Sequence, residues 1–545
     1  MTNSLAELLS FSARRFAERP ALHYKNQHIS YAQLQLWVQQ QTERLSLLGL
    51  QRFDRVAIYL PKQLETVVAL FACNSGGAVF VPVNPALKAA QVQHILNDCN
   101  VRCLITSVER LHGLTEVLTA CPDLHTVLVV DSASLTAVEQ LQPLHSHYRV
   151  MAWLEQREEL STPNLTPRHQ SMTDADMAAI LYTSGSTGKP KGVVLSQRNL
   201  LCGAASVASY LQNTPDDVLL GILPLSFDYG LSQLTTAFSV GASVVLLDFL
   251  LVQDVVRAVE HYQVTGIAAV PPLWAQLAKA NWPEGSASSV RYFTNSGGAM
   301  PQALLSQLQI IFNKAEPYLM YGLTEAFRST YLPPSELLRR PGSMGRAIPN
   351  AEILVVREDG SLCGPNEPGE LVHRGPLVSL GYWNAPEKTA ERFKPDPLAA
   401  SGIQLAPLAV FSGDTVKYDE EGFLYFIGRR DEMIKTSGYR VSPTEVEEAV
   451  YRLDPAIQDV AALGIYDGTD QGILVLVALA GGASKNTDVI TGQWLIQLKR
   501  SLPNFMIPRA IVLKDGLPKN PNGKIDRKAL AQEYQHYFSE AKPNE

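Results

Sequence analysis

The chain has 545 residues, 46% of them hydrophobic and 18% charged, with a formal net charge of −7. At roughly 100–200 residues per domain it is a multi-domain protein, large enough to build cores without disulfides or metals. The ordinary composition excludes a collagen, a coiled-coil rod and a disordered tail, and the acidic balance excludes a general nucleic-acid coat, which demands basic surface.

The N-terminal segment MTNSLAELLSFSARRFAERP is not a signal peptide, because Glu7 and Arg14 break any apolar run. Leu5, Leu8, Leu9 and Phe16 instead suit one face of a helix ending near Pro20. RVAIYL reads as a buried strand, LETVVALFACN as a helix and AVFVPV as the next strand, followed by the strand candidates VRCLITS, HTVLVVD and GIAAVP. Strands alternating with helices predict parallel α/β layers. The longest apolar region, residues 218–252, is interrupted by Pro224, Asp228, Gly230 and Gly241. It reads as strand VLLGILPL, helix GLSQLTTAF and strand ASVVLLDF rather than as a membrane span. A cytoplasmic protein is expected.

From about Ala351 the texture changes to short strands punctuated by Gly and Pro (AEILVV, GELVHRG, GFLYFIG), a smaller β-rich subdomain. GRRDEMIK is an exposed connector, and the boundary is placed at Arg430/Asp431, giving a large domain of residues 1–430 and a small α/β domain of residues 431–545. The small domain holds the helices SPTEVEEAVYRL and GQWLIQLKRSL and the strands VAALGIY and ILVLVALA. The six cysteines are scattered, and Cys99 and Cys103 lack partners for a zinc set, so buried reduced thiols are expected. Residues 499–528 carry eight Lys/Arg against two Asp/Glu, either a solvated basic edge or an anion contact.

The strongest local signal is YTSGSTGKPKG, residues 182–192, which follows an apolar strand. It packs Thr183, Ser184, Gly185, Ser186, Thr187, Gly188 and Lys189 into seven consecutive positions. Glycines let backbone N–H groups turn inward, and hydroxyls and lysine add donors, so the segment makes a concave anion site suited to polyphosphate. It is not a Walker A loop: Thr183 stands where that pattern needs Gly, and Pro190 where it needs Ser or Thr.

This segment resembles the phosphate loop of the adenylate-forming enzymes, which include acyl-CoA synthetases, luciferases and the adenylation domains of peptide synthetases. The resemblance runs from about Leu5 to Leu530 and is carried in order by SGGAMP, YGLTE, PGSMG, SGD, GRRDEMIKTSGYRVSPTEVE and LPKNPNGKIDR. It implies a large AMP-binding domain of layered α/β subdomains and a small mobile C-terminal domain. It implies that Glu325 holds Mg²⁺, that Thr324 donates to the α-phosphate, and that Lys189 belongs to the catalytic set. Tyr321 offers an aromatic face to adenine, and Gly297, Gly298, Ala299 and Gly322 let backbone approach the nucleotide. Asp414 accepts from the ribose hydroxyls, with Arg429 reaching the ribose or phosphate side.

The same resemblance makes Lys524 the adenylation lysine, Asp431 a hinge, and Gly438 part of a thiol tunnel exposed when the small domain swings. Two departures stand out. PLSFDYG, with Phe227 and Asp228, occupies the place of a PLFHxxG acyl-pocket motif, and Gln197 stands where many relatives have His. Asp228 has two readings: it pairs with the α-ammonium of an amino-acid substrate, or it caps the helix that follows.

The sequence therefore predicts an ATP-dependent ligase that forms acyl-AMP and pyrophosphate and passes the acyl group to CoA. The alternatives are an amino-acid adenylating enzyme that loads the phosphopantetheine of a separate carrier protein, and a non-catalytic nucleotide-binding protein. ATP, Mg²⁺ and a small-molecule carboxylate are expected ligands, with no nucleic acid and no membrane span. No fused carrier domain is expected from these residues.

Overall fold

The structure is a computed structural model. It describes residues 2–131, 141, 147–153, 172–183, 190–429, 432–436, 439–466, 471–480, 487–502, 504–520 and 523–540. The protein is a layered α/β molecule, as the alternation of strands and helices predicts. A seven-stranded sheet runs in the order Arg149–Ala152, Thr126–Val129, Val101–Thr106, Arg55–Tyr59, Val79–Pro82, Met177–Thr183, Lys191–Ser196. Its strands are parallel except for the last two, which pair antiparallel. These strands bury both faces, as continuous Val/Ile/Leu runs require.

A second, fourteen-stranded sheet has a parallel centre and an antiparallel end. Pro20–Tyr24, Ser243–Leu246, Val218–Gly221, Gly266–Ala269, Tyr292–Asn295 and Glu316–Tyr321 form the parallel part. Thr330–Leu332 and Ser343–Ala347 then carry the hydrogen bonding into Leu424–Arg429, Leu408–Tyr418, Gly369–Arg374 and Glu352–Val356. The β-rich region is thus continuous with the parallel sheet, and chain segments far apart in sequence meet along one edge.

The first helix stops at Arg15, earlier than Pro20, because Pro20 already opens a strand of the second sheet. Leu5, Leu8 and Leu9 are buried as expected, while Phe16 falls outside the helix as its C-cap. The VLLGILPL run yields a strand only over Val218–Gly221. Its second half turns instead, with the Phe227 N–H donating to the Pro224 carbonyl at 3.1 Å, and leads into the helix Asp228–Val240. Gly230 permits this turn, because a Cβ there would stand 2.1 Å from the Pro224 oxygen.

The C-terminal region builds its own core around Val446, Val450, Val475, Val477, Trp494 and Leu498. Its sheet comprises Ile457–Tyr466, Gln471–Leu479 and Ala510–Lys514, flanked by the helices Pro443–Tyr451, Thr487–Ser501 and Arg527–Glu533. The Arg430/Asp431 boundary lies outside the described residues. Three cations of the basic stretch pair within the protein: Lys514 with Glu533 at 2.6 Å, Lys519 with Asp459 at 2.9 Å, Arg527 with Glu447 at 2.6 Å. All six cysteines are free, and all but the partly exposed Cys202 are buried. No helix among the described residues is long and apolar enough to cross a membrane.

Candidate active site

A cavity of about 2310 Å³ opens between the large part of the molecule and the C-terminal domain. Strand ends deliver its polar groups, as open α/β sheets do at their carboxyl edges. The strand Tyr292–Asn295 leads into Gly297, Gly298 and Ala299, which line the cavity, and the Asn295 side chain donates to the Gly298 carbonyl at 3.0 Å. Gly297 has φ +81°, a conformation that suits glycine. The strand Glu316–Tyr321 places the Tyr321 hydroxyl on Asp414, to which it donates a hydrogen bond. Asp414 and Arg429 stand opposite each other on paired strands, with Arg429 Nε 3.4 Å from Asp414 Oδ1. Burial pushes the Asp414 carboxyl above the usual range, and the Arg429 guanidinium pulls it back.

Gly322 and Thr324 also line the cavity, and Glu325 sits in the short 3₁₀ turn Thr324–Ala326. The Tyr382 hydroxyl donates to Glu325 Oε1 at 2.5 Å. Lys191 stacks on the same Tyr382, its Nζ 4.2 Å from the ring centre. Burial lowers the pKa of Lys191, Glu325 opposes that shift, and Arg392, Lys388 and Arg429 reinforce it. The surroundings of Glu325 are therefore cationic, as a polyphosphate requires.

Lys524 reaches this cavity from the C-terminal domain. The Asn520 N–H donates to the Lys524 carbonyl at 2.7 Å, and the Lys524 N–H donates to the Asn520 side chain at 3.0 Å. Gly523, at φ +78°, closes that turn. Lys524 Cε comes within 3.5 Å of where a Cβ on Gly297 would stand. Its side chain is open to the cavity yet walled by protein, and this enclosure lowers its pKa while the Asp228 carboxylate opposes the shift. Three residues on, an Arg527 nitrogen donates to both oxygens of the buried Glu447, pinning the segment that carries the lysine.

Phe227 and Asp228 line the same cavity. The helix-cap reading of Asp228 is corrected here: Phe227 is the N-cap residue, and Asp228 is the first residue of the helix. Its side chain is turned to Arg328, whose Nη1 donates to Asp228 Oδ2 at 3.0 Å, both groups being buried. Burial raises the Asp228 pKa, and Arg328 and Lys524 oppose the rise.

Thr183 ends its strand opposite Lys191 on the antiparallel partner strand, and both residues line the cavity. Ser184, Gly185, Ser186, Thr187, Gly188 and Lys189 lie outside the described residues, as do Asp431 and Gly438. The structure adds three residues that sequence reasoning missed as site groups: Lys191, Tyr382 and Arg328. Lys191 could have been found as the second lysine of the loop motif. Arg328 could have been found as a lone cation three positions after Glu325, and Tyr382 carries no local signal. Gln197 also gains an account, since its buried side chain accepts from the Leu5 N–H at 3.1 Å and ties the first helix to the core.

Residues 9–383 match the AMP-binding enzyme family, and residues 445–524 match the AMP-binding enzyme C-terminal domain. The chain belongs to the AMP-binding enzyme family. It is 31% identical to an L-proline–[L-prolyl-carrier protein] ligase from Streptomyces coelicolor, over 97% of this chain and 96% of that protein. It is 27% identical to a long-chain-fatty-acid–CoA ligase from Bacillus subtilis, over 97% and 94%. It is 29% identical over 95% of its length to a linear gramicidin synthase of Brevibacillus parabrevis, but spans only 6% of that protein. Among solved structures, the o-succinylbenzoate coenzyme A synthetase of Bacillus subtilis, in complex with ATP and magnesium ion, matches with a TM-score of 0.78 and 26% identity, covering 96% of this chain and 98% of that one. In this AMP-binding enzyme, the motifs SGGAMP, YGLTE and SGD and the lysine of NPNGKIDR meet around one cavity.

Proposed function

We propose that the protein is a carboxylic acid:thiol ligase that works in two steps. In the first, the acid's carboxylate oxygen attacks the α-phosphorus of ATP, forming acyl-AMP and releasing pyrophosphate. In the second, a pantetheine thiolate attacks the acyl carbon, forming the thioester and releasing AMP. CoA is the thiol donor of the reading, and the cytoplasm, whose reducing state suits six free thiols, its compartment.

One observation supports this most directly: Lys524 is held against Gly297 in the cavity that Tyr321, Asp414 and Asp228 also line. Two anions must meet there, the acid and the α-phosphate. An ammonium group at that point lowers the cost of their approach and stabilises charge as it develops. Asp414 accepts from ribose, Gly297, Gly298 and Ala299 border the base, and Thr183, Lys191 and the segment 184–189 hold the leaving pyrophosphate. Asp431 serves as the hinge and Gly438 borders the thiol path.

Glu325 presents one carboxylate at the cavity wall beside Lys191, oriented by Tyr382. That donor set fits Mg²⁺, which takes one or two protein carboxylates and completes its shell with phosphate oxygens and water. The ion would offset phosphate charge. The remaining catalysis is positioning and electrostatics.

The amino-acid reading, with a carrier protein as acceptor, is supported by the 31% identity to the L-proline–[L-prolyl-carrier protein] ligase, while the Asp228 carboxylate that would receive an ammonium is already held by Arg328. ATP–pyrophosphate exchange with a panel of acids tests the first step, and AMP, not ADP, is the expected nucleotide product. Thioester formation with CoA against a phosphopantetheinylated carrier protein separates the two acceptors.

A further inference from the structure

Arg328 is 2% exposed, lines the cavity, and has only part of its hydrogen-bonding capacity used. Nη1 donates to Asp228 Oδ2 at 3.0 Å and to the Phe327 carbonyl at 3.1 Å. Nε and Nη2 are buried with no hydrogen-bond partner among the described residues. The guanidinium is held in place by the rings beneath it, its carbon 4.7 Å from the Tyr229 ring centre and 5.5 Å from that of Phe327.

A buried donor without a partner costs free energy, and such a group in a folded protein calls for a partner, which a bound molecule can supply. Nε–H and one Nη2–H lie on a single edge of the guanidinium and point the same way. That edge matches the two oxygens of a carboxylate. An ammonium substituent fares worse, because it meets a guanidinium of like charge and an Asp228 oxygen that already accepts from Nη1. Asp228 therefore serves to fix the guanidinium.

Building on the ligase reading, we infer that Arg328 binds a second carboxylate on the acyl substrate, so that the enzyme activates one end of a dicarboxylic acid. Asp228 is a positioning residue for Arg328. Lys524 faces the end that reacts, and Arg328 holds the end that does not.

The test measures kcat/KM for ATP–pyrophosphate exchange with a length series of α,ω-dicarboxylic acids. Each is paired with its monocarboxylate, its ω-amide and its ω-amine. Binding of the same acids is measured by calorimetry. The proposal expects one dicarboxylate to exceed its monocarboxylate by about 10- to 150-fold, the ratio one charge-assisted hydrogen bond supplies.

Removing Arg328 alone strands the buried Asp228, so the variant is the matched pair Asp228→Asn with Arg328→Gln, which removes both charges together and leaves a polar amide at each position. In it the preference should fall below about threefold, the margin of a neutral contact. A wild type that prefers the monocarboxylate, the amide or the amine overturns the proposal, as does a preference that survives in the double variant. Absence of exchange with every acid, while calorimetry still shows the dicarboxylate preference and its loss in the variant, fails the ligase reading and sustains this one.

Discussion

The Lys524 side chain lies against Gly297, its Nζ 4.0 Å from the position a Cβ on that glycine would take. The two residues are 227 positions apart (524 − 297), on different domains, and neither motif explains the other in isolation. Their meeting brings the two domains together at the wall of one cavity.

Gly297→Ala tests this contact. The φ of +81° disfavours any side chain, and the added methyl crowds Lys524 Cε. The expected stability loss is about 1 kcal/mol or more, read from chemical denaturation. Pyrophosphate exchange should fall about 100-fold, as a misplaced catalytic group permits. Unchanged exchange would mean that the contact is incidental.

Tyr382→Phe removes the hydroxyl that donates to Glu325. If Glu325 holds Mg²⁺, its lost orientation should raise the Mg²⁺ concentration needed for half-maximal exchange by about 10- to 100-fold. An effect on the KM for the acid with no change in Mg²⁺ dependence would place Tyr382 elsewhere in the mechanism.

The pH profile has a definite sign. In the proposed mechanism Lys524 acts as a cation, and enclosure lowers its pKa. Adenylation should therefore fail on the alkaline side at a pH below the usual lysine value of about 10.4. Asp228 holds the ammonium charged, so Asp228→Asn should lower the Lys524 pKa further and move that limb to lower pH. A limb that stays put or moves up would contradict the assignment.

Folding stability has a second pH dependence. His373 is fully buried beside Ser329, Nδ1 3.0 Å from its hydroxyl, and burial pulls its pKa down to about 3. Between that value and about 6.5 the unfolded chain binds the proton and the folded one does not. The contribution is complete above about pH 6.5 and is lost as pH falls, at up to about 1.4 kcal/mol per unit. His373→Gln should flatten the denaturation-midpoint profile over that window, and an unchanged slope would assign the acid sensitivity to other groups.

The sequence carried some of these features and could not carry others. Asp414, Tyr321 and Lys524 sit in dense local motifs, so their residue types and neighbours announce them. The alternation of buried strands and amphipathic helices likewise announces the layered fold. Arg328 is different: its meaning depends on Asp228, 100 positions earlier, and on two donors left without partners among the described residues. Tyr382 reaches Glu325 across 57 positions through packing that no short-range pattern encodes. The Asp228 cap failed for a related reason. The local preference of aspartate for helix starts was real, but a buried guanidinium from another element outcompeted it.

The hinge carries its own expectation. Asp431→Pro fixes φ near −65° in a segment that must change conformation if the small domain alternates. Thioester formation should then suffer far more than acyl-AMP formation, measured with each half-reaction run separately. Equal losses would remove the alternation from the account.

The central claim, that Lys524 serves the adenylation step, is tested most directly by Lys524→Ala in both half-reactions. Acyl-AMP formation, followed by pyrophosphate release, should fall by at least about 10- to 150-fold, the value of one charge-assisted contact. Thioester formation from supplied acyl-AMP and thiol should stay near the wild-type rate. Equal loss in both half-reactions, or retained adenylation, would contradict the account.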